Sequence, residues 1–179
     1  MDEKEAKNRE SHDGWTVVED SGRGWRRVVP SPRPERIVEA GVINTLINAG
    51  TIVVGVGGGG IPVVENEDGR IKGIEAVIDK DFSSSLLATM IDADLFVIST
   101  AVEKVALNFN KPDEKWLDEM TVAEAKKYIE EGHFAPGSML PKVRAIIQYI
   151  EKGGKKALIT DPEHIGDALE GKTGTWILP

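Results

Sequence analysis

Lys80 stands between two carboxylates, in Asp79-Lys80-Asp81, where an apolar stretch gives way to a helical pattern. Lys142 has a similar place, in the first turn of a helix that follows Gly137, Ser138 and Met139. The start of a helix is the positive end of its dipole, so an ammonium there is mildly unfavourable and needs a reason. Either lysine alone reads as a solvated surface residue, and either aspartate as a helix-capping carboxylate. Two lysines at two helix N-termini say more together, because lysine charge and free backbone N–H groups jointly hold a phosphate. Gly57, Gly58, Gly59 and Gly60 point the same way. Consecutive glycines carry a backbone-entropy cost that a simple turn does not require and that close approach to a ligand does. A sharp, tightly packed crossing is the competing explanation. The chemistry open to these groups is the binding or transfer of a phosphoryl group, which needs positioning and charge stabilisation rather than a covalent nucleophile.

The elements that must position them follow from periodicity. Residues 1–13 read as a polar helix, and Trp15 to Val18 and Trp25 to Val29 as short strands around a Gly-rich turn. Pro30, Pro32 and Pro34 make an extended connector. Ile37, Ala40, Ile43, Leu46 and Ile47 share a helical face that ends at Gly50. The apolar run 51–56 is predicted as a strand buried on both faces, with further strands over 61–64 and 71–78. A helix over 82–91 and an apolar strand over 95–99 come next, then a loop through 108–113. Thr121 and Glu124 form a capping-box signature for a helix ending at Gly132. Ser138 starts another helix, with Val143, Ile146, Ile147 and Ile150 inward, and 156–160, 162–169 and 175–178 read as strand, helix and strand. This alternation predicts an α/β fold, layered α/β/α around a mostly parallel sheet. Ligands of such folds sit beyond the carboxyl ends of the strands, which selects the loops after Val56, Ile78 and Ser99 and the approach to Ser138. Two regions are expected: 1–34 as a smaller part with its connector, and 35–179 as the main domain.

A chain of 179 residues, 40% hydrophobic and 29% charged, has an ordinary globular composition. The 22 Lys and Arg against 30 Asp and Glu leave a net charge of −8, which argues against nucleic acid or an anionic membrane as partner. Arg23, Arg26, Arg27, Arg33 and Arg36 form the one basic cluster, read as a solvated, partly paired face. Cysteine is absent, which removes thiolate catalysis and cysteine-based zinc sites. His12, His133 and His164 lack ligand spacing, so no residue is assigned to a metal. The first residues carry no apolar signal region, and the run 52–64 is too short and Gly-rich to span a membrane, so a cytoplasmic location is expected.

Two motifs mislead. Gly166 to Thr173 matches G-x-x-x-x-G-K-[ST], yet Asp167, Ala168, Leu169 and Glu170 read as helix, place two carboxylates where a phosphate would sit, and precede only a short tail. Gly55, Gly57 and Gly60 satisfy G-x-G-x-x-G, but the strand-like Ile61-Pro62-Val63-Val64 follows instead of a helix.

Taken in order, the segments Glu19-Asp20-Ser21-Gly22-Arg23-Gly24-Trp25-Arg26-Arg27-Val28-Val29-Pro30-Ser31-Pro32, Gly57-Gly58-Gly59-Gly60-Ile61-Pro62-Val63, Glu75-Ala76-Val77-Ile78-Asp79-Lys80-Asp81, Thr100-Ala101-Val102-Glu103 and Gly132-His133-Phe134-Ala135-Pro136-Gly137-Ser138-Met139-Leu140-Pro141-Lys142-Val143 resemble those of carbamate kinases, within the amino acid kinase family. The tail Glu170-Gly171-Lys172-Thr173-Gly174-Thr175 fits as well. The resemblance implies reversible phosphoryl transfer between ATP or ADP and carbamate or carbamoyl phosphate, with Mg²⁺, as in arginine breakdown. By resemblance, Lys80 and Lys142 neutralise the transferring phosphoryl group and Asp81 orients the lysines. Gly57, Gly58, Gly59 and Gly60 lie near the acceptor and phosphoryl group, and Thr100, Ala101, Val102, Val105, Gly137, Ser138 and Met139 border the nucleotide. A homodimer is implied, with 1–34 belonging to a protruding lid. Carbamate kinases also have a long segment ahead of the part matching Met1, with the first sheet strands and a Gly-Gly-Asn phosphate loop. The expectation is therefore a fragment, a truncated frame or one half of a split kinase, completed by a separate N-terminal segment and prone to associate through uncovered faces. A non-catalytic nucleotide-binding module is the alternative. A relative acting on N-acetylglutamate or a nucleoside monophosphate is disfavoured by Arg26 to Pro32 and by Lys80 between its two acids.

Overall fold

The structure is a computed structural model that describes residues 1–20 and 22–179; Ser21, just before Gly22-Arg23-Gly24, lies outside the described residues. It divides into two compact units, one of residues 1–33 with 61–78 and one of 34–60 with 79–179.

In the smaller unit, α1 (Glu3–Asp13) starts at Asp2, whose carboxylate accepts from the Glu5 amide at 2.7 Å, and stops at Gly14. It is polar all round and buries only Ala6, so it contributes little core. Strands β1 (Thr16–Glu19) and β2 (Trp25–Val28) pair antiparallel with Val17 opposite Arg27. A second hairpin, β3 (Val63–Glu65) and β4 (Ile71–Gly73), sets Val64 opposite Lys72. The strand expected over 71–78 is cut to three residues: the Ile74 amide still reaches the Pro62 carbonyl in register, but proline has no amide to return the bond, and the Ala76 amide turns back to the Ile74 carbonyl. Residues 61–78, read from the sequence as part of the main domain, pack with 1–33. The Val77 amide donates to the Pro30 carbonyl at 3.0 Å and Arg27 pairs with Glu75 at 2.7 Å. Arg27 and Arg9 also lie over the Trp15 ring, 4.7 and 5.2 Å from its centroid, so part of the basic cluster is spent on internal contacts.

The larger unit opens with α2 (Ala40–Asn48), which ends at Gly50 as its pattern predicts. The run 51–56 is not the doubly buried strand expected. No other strand reaches it among the described residues, and Ile52 and Val54 are 94% and 96% exposed. An apolar run becomes a strand only where a neighbour pairs its backbone. After it come α3 (Lys80–Met90) and β5 (Phe96–Ser99), then a hairpin the sequence had not suggested, β6 (Val105–Leu107) with β7 (Lys115–Leu117). Strand β8 (Glu119–Thr121) leads into α4 (Val122–Glu130), where Thr121 and Glu124 close the expected capping box. Helix α5 (Met139–Glu151), β9 (Ala157–Thr160), α6 (Ile165–Leu169) and β10 (Thr175–Leu178) complete the unit.

The sheet runs β5-β9-β10-β8, with β5/β9 and β10/β8 parallel and β9/β10 antiparallel. The α/β class stands, and two of the three ladders are parallel. Helix α5 anchors the core. Val143, Ile146, Ile147 and Ile150 are buried against Ile159, Ile177 and Met120, and Tyr149 meets Phe96 edge-on at 5.5 Å. No helix is long and apolar enough to cross a membrane among the described residues.

Candidate functional site

The site builds from the junction of α3 and α5. Asp79 caps α3, its carboxylate accepting from the Asp81 amide at 2.8 Å, so the first acid of the triplet serves the helix end. That fixes Lys80 and Asp81 in the first turn. Asp81 is the one charged residue that is buried among the described residues. Lys142, the fourth residue of α5, donates through Nζ to Asp81 Oδ2 at 3.0 Å. Its side chain is 13% exposed and that of Asp81 is 9% exposed. The two residues are 61 apart in sequence, so the contact exists only because α3 packs on α5.

One turn further along, Ser85 Oγ donates to the Ala145 carbonyl at 2.7 Å, both residues fully buried. Ser85 follows Asp81 by one turn and Ala145 follows Lys142 by nearly one, so a charged bond and a neutral bond fix the register of the two helices. Burying a lysine and an aspartate is costly unless each satisfies the other, and this geometry holds the ammonium in one place. The orienting role expected of Asp81 therefore has a geometric counterpart for Lys142. Lys80 differs. It is exposed and makes no ion pair among the described residues, so its ammonium is available to a ligand.

Three of the four glycines form a single 3₁₀ turn, Gly57–Gly59, that packs against α3, and Gly60 ends it. Gly58, Gly59 and Gly60 have φ of 63°, 107° and 87°, and Val56 before them is held at 49°. Three successive left-handed residues explain glycine here. A β-branched residue with positive φ marks local strain of the kind that collects at ligand sites.

The segments expected beside a nucleotide come from two places. The Thr100 amide donates to the Thr160 carbonyl at 2.8 Å, tying together the chain leaving β5 and the end of β9. Ala101 is exposed and Val102 half-buried. Val105 lies in the core with its amide bound to Thr175 Oγ1 at 2.8 Å, so it packs and presents no free polar group. Gly137 and Ser138 are exposed at the start of α5, whose first turn receives no side-chain cap from Ser138, and Met139 packs against the core. Beyond β9, Asp161 accepts from the backbone N–H of His164 at 2.8 Å and engages its ring nitrogen Nδ1. Burial pushes the Asp161 carboxyl up, but these hydrogen bonds and the nearby imidazole prevail and hold it below the usual range. The bond to Asp161 raises His164 above the ordinary histidine value.

Sequence reasoning missed Ser85 and Thr160. Thr160 Oγ1 is buried without a hydrogen-bond partner among the described residues, at the carboxyl end of β9. A hydroxyl closing the otherwise apolar Ala-Leu-Ile-Thr run was the available signal. The misleading Gly166–Thr173 motif resolves as expected: Gly166 lies inside α6, and Lys172 pairs with Glu170 at 2.6 Å and Asp167 at 3.2 Å. Among the described residues no three histidines or carboxylates converge as a metal cage, and the buried Asp81 is committed to Lys142.

The larger unit thus carries lysines at two helix starts, with the glycine turn packed on the first of these helices and the second helix packed against it. The sequence model of the amino acid kinase family matches residues 7–161, and the chain belongs to that family. Within it, the chain is 54% identical over 177 residues to a carbamate kinase of Thermococcus kodakarensis, covering 99% of this chain and 56% of that protein. It is also 54% identical over 164 residues to the carbamate kinase-like protein YahI of Escherichia coli, covering 92% of this chain and 52% of that protein. The structure of a Giardia lamblia carbamate kinase bound to AMP-PNP superimposes with a TM-score of 0.92 at 46% identity, over 99% of this chain and 56% of that one. The chain thus spans about half the length of the curated relatives it matches.

Proposed function

We propose that this chain carries the charge-stabilising and nucleotide-facing part of a carbamate kinase, which moves a phosphoryl group reversibly between ATP and carbamate, or between carbamoyl phosphate and ADP. The observation that carries the reading is the buried Asp81–Lys142 pair, set beside the exposed Lys80 at the start of α3. Phosphoryl transfer spreads charge over the equatorial oxygens of the moving group, and fixed cations meet it without reorganising. Lys142, held by Asp81, supplies one such cation, and Lys80 closes on the phosphoryl group from the helix end. The glycine turn brings backbone close to the acceptor side, while Thr100, Ala101, Val102, Gly137, Ser138 and Met139 border the nucleotide, with Val105 supporting them from the core. Among the described residues no three histidines or carboxylates form a cage for Mg²⁺, so the ion would be held through the phosphates of the nucleotide.

In this reading, residues 1–34 belong to a lid, the protein works in the cytoplasm as a homodimer, and the remaining part of the fold comes from polypeptide that these residues do not include. ATP formation from carbamoyl phosphate and ADP, measured with this chain supplemented by that remaining part, tests it. Turnover supports the reading. ADP binding in calorimetry with no turnover under the same conditions favours a non-catalytic nucleotide-binding module instead.

A further inference from the structure

Residues 101–104, between β5 and β6, make no main-chain hydrogen bond among the described residues, so the segment is held from outside. The Thr100 amide donates to the Thr160 carbonyl, the Glu103 carboxylate accepts from Thr173 Oγ1, and the Val105 amide donates to Thr175 Oγ1 at 2.8 Å. The Thr175 hydroxyl in turn donates to the Leu117 carbonyl at 2.5 Å, bridging two residues that face each other across β6 and β7. Glu103 and Val105 are thus tied to Thr173 and Thr175, two residues apart on each side. Gly174, between the two threonines, fixes the tail to the core. Its φ is 79°, and a Cβ there would come 2.7 Å from Leu158 Cδ1 of β9 and 3.1 Å from Ala168 Cβ of α6, so only glycine lets the chain lie that close. Lys104 also reaches Asp118 at 2.6 Å, but that carboxylate is exposed and such a pair is worth little in water.

Ala101 and Val102 have no polar side chain, so a ligand beside them meets main-chain groups and apolar surface, whose placement depends on what holds the loop. A hydroxyl donating to a carboxylate makes a charge-assisted bond, stronger than a neutral one. We infer that Thr173 and Glu103 are positioning residues whose bond holds 100–105 in place beside the nucleotide, with Gly174 and Thr175 anchoring this clasp to the core. The inference rests on the nucleotide-bordering role proposed above for Thr100, Ala101 and Val102. It also gives a use to the end of the misleading Gly166–Thr173 motif. Thr173 acts on the protein itself, and Lys172 commits its charge to Glu170 and Asp167.

Steady-state ATP formation from carbamoyl phosphate and ADP tests it, with this chain supplied with the polypeptide that completes the fold. Thr173→Val should raise the KM for ADP at least about tenfold while kcat and the KM for carbamoyl phosphate stay within about twofold. Thr173→Ser should restore the ADP value, because it keeps the hydroxyl, and Glu103→Ala should act like Thr173→Val. The double variant should be no worse than either single one, as for the two ends of one bond. Lys172→Ala, at the exposed neighbouring residue, should leave these constants unchanged. An unchanged KM for ADP in Thr173→Val, an equal loss in every constant, additive effects, or an effect of Glu103→Ala alone would each overturn the inference. Calorimetric ADP affinity separates it from the catalytic reading. Affinity lowered about tenfold by Thr173→Val, with no turnover in the unmodified protein, would leave the clasp standing and contradict the catalytic reading alone. No ADP binding by the unmodified protein would overturn both.

Discussion

The junction of α3 with α5 and the face made by α2 with 51–56 lie in the same unit and are similarly apolar, yet one is finished and the other is not. At the junction the buried polar groups are paired: Asp81 has Lys142 and Ser85 has the Ala145 carbonyl. On the other face four residues of backbone, 52–55, have none among the described residues, and Ile52 and Val54 are exposed. The difference is one of neighbours, not of hydrophobicity. A charge pair can be withdrawn from water because two helices converge on it, and an apolar run stays exposed because nothing pairs its edge.

The sharpest way to break this comparison is to remove one partner at the finished junction. Asp81→Ala strands the Lys142 ammonium among buried groups and should cost about 3–5 kcal/mol in chemical denaturation. A loss under about 1 kcal/mol would mean that the pair is solvated and the junction is not closed. Ser85→Ala should cost about 1 kcal/mol, the usual net worth of one buried hydrogen bond, and Ser85→Thr should recover part of it if the hydroxyl is what matters. At the unfinished face, Ile52→Asp should change the stability of the isolated chain by no more than about 0.5 kcal/mol, since the side chain loses no packing. A large loss there would show that the segment is already covered in solution.

The smallest expected effect concerns pH. His164 is raised above its unfolded value of 6.5 by Asp161, so its contribution to stability is present in full below that value and fades as pH rises through the folded one. His164→Asn should flatten the fall in stability as pH rises above 6.5. An unchanged slope would assign the fall to other groups.

What could be read from the sequence follows the same division. Helix α5 and its inward Val143, Ile146, Ile147 and Ile150 were legible because a 3.6-residue period is local, as was the Thr121–Glu124 capping box. The β6/β7 hairpin was not, since Val105-Ala106-Leu107 is too short to show alternation. The run 51–56 was read as buried because composition records affinity for a core and says nothing of whether a neighbour is present to provide it. The attachment of 61–78 to the smaller unit depends on Glu75 meeting Arg27, 48 residues away, and no local pattern carries that. The lysines stood out because an ammonium at a helix start is out of place, whereas Ser85 looks like any small helical residue until its partner across the junction is seen.

The most direct test of the central claim is the turnover of Lys142→Ala against the unmodified chain, each supplied with the completing polypeptide, in ATP formation from carbamoyl phosphate and ADP. A lysine acting on the transferring group predicts a fall in kcat of about 10²-fold or more with the KM for ADP little changed. A kcat within a few fold of the unmodified protein would contradict it and leave the Asp81–Lys142 pair as a structural bond only.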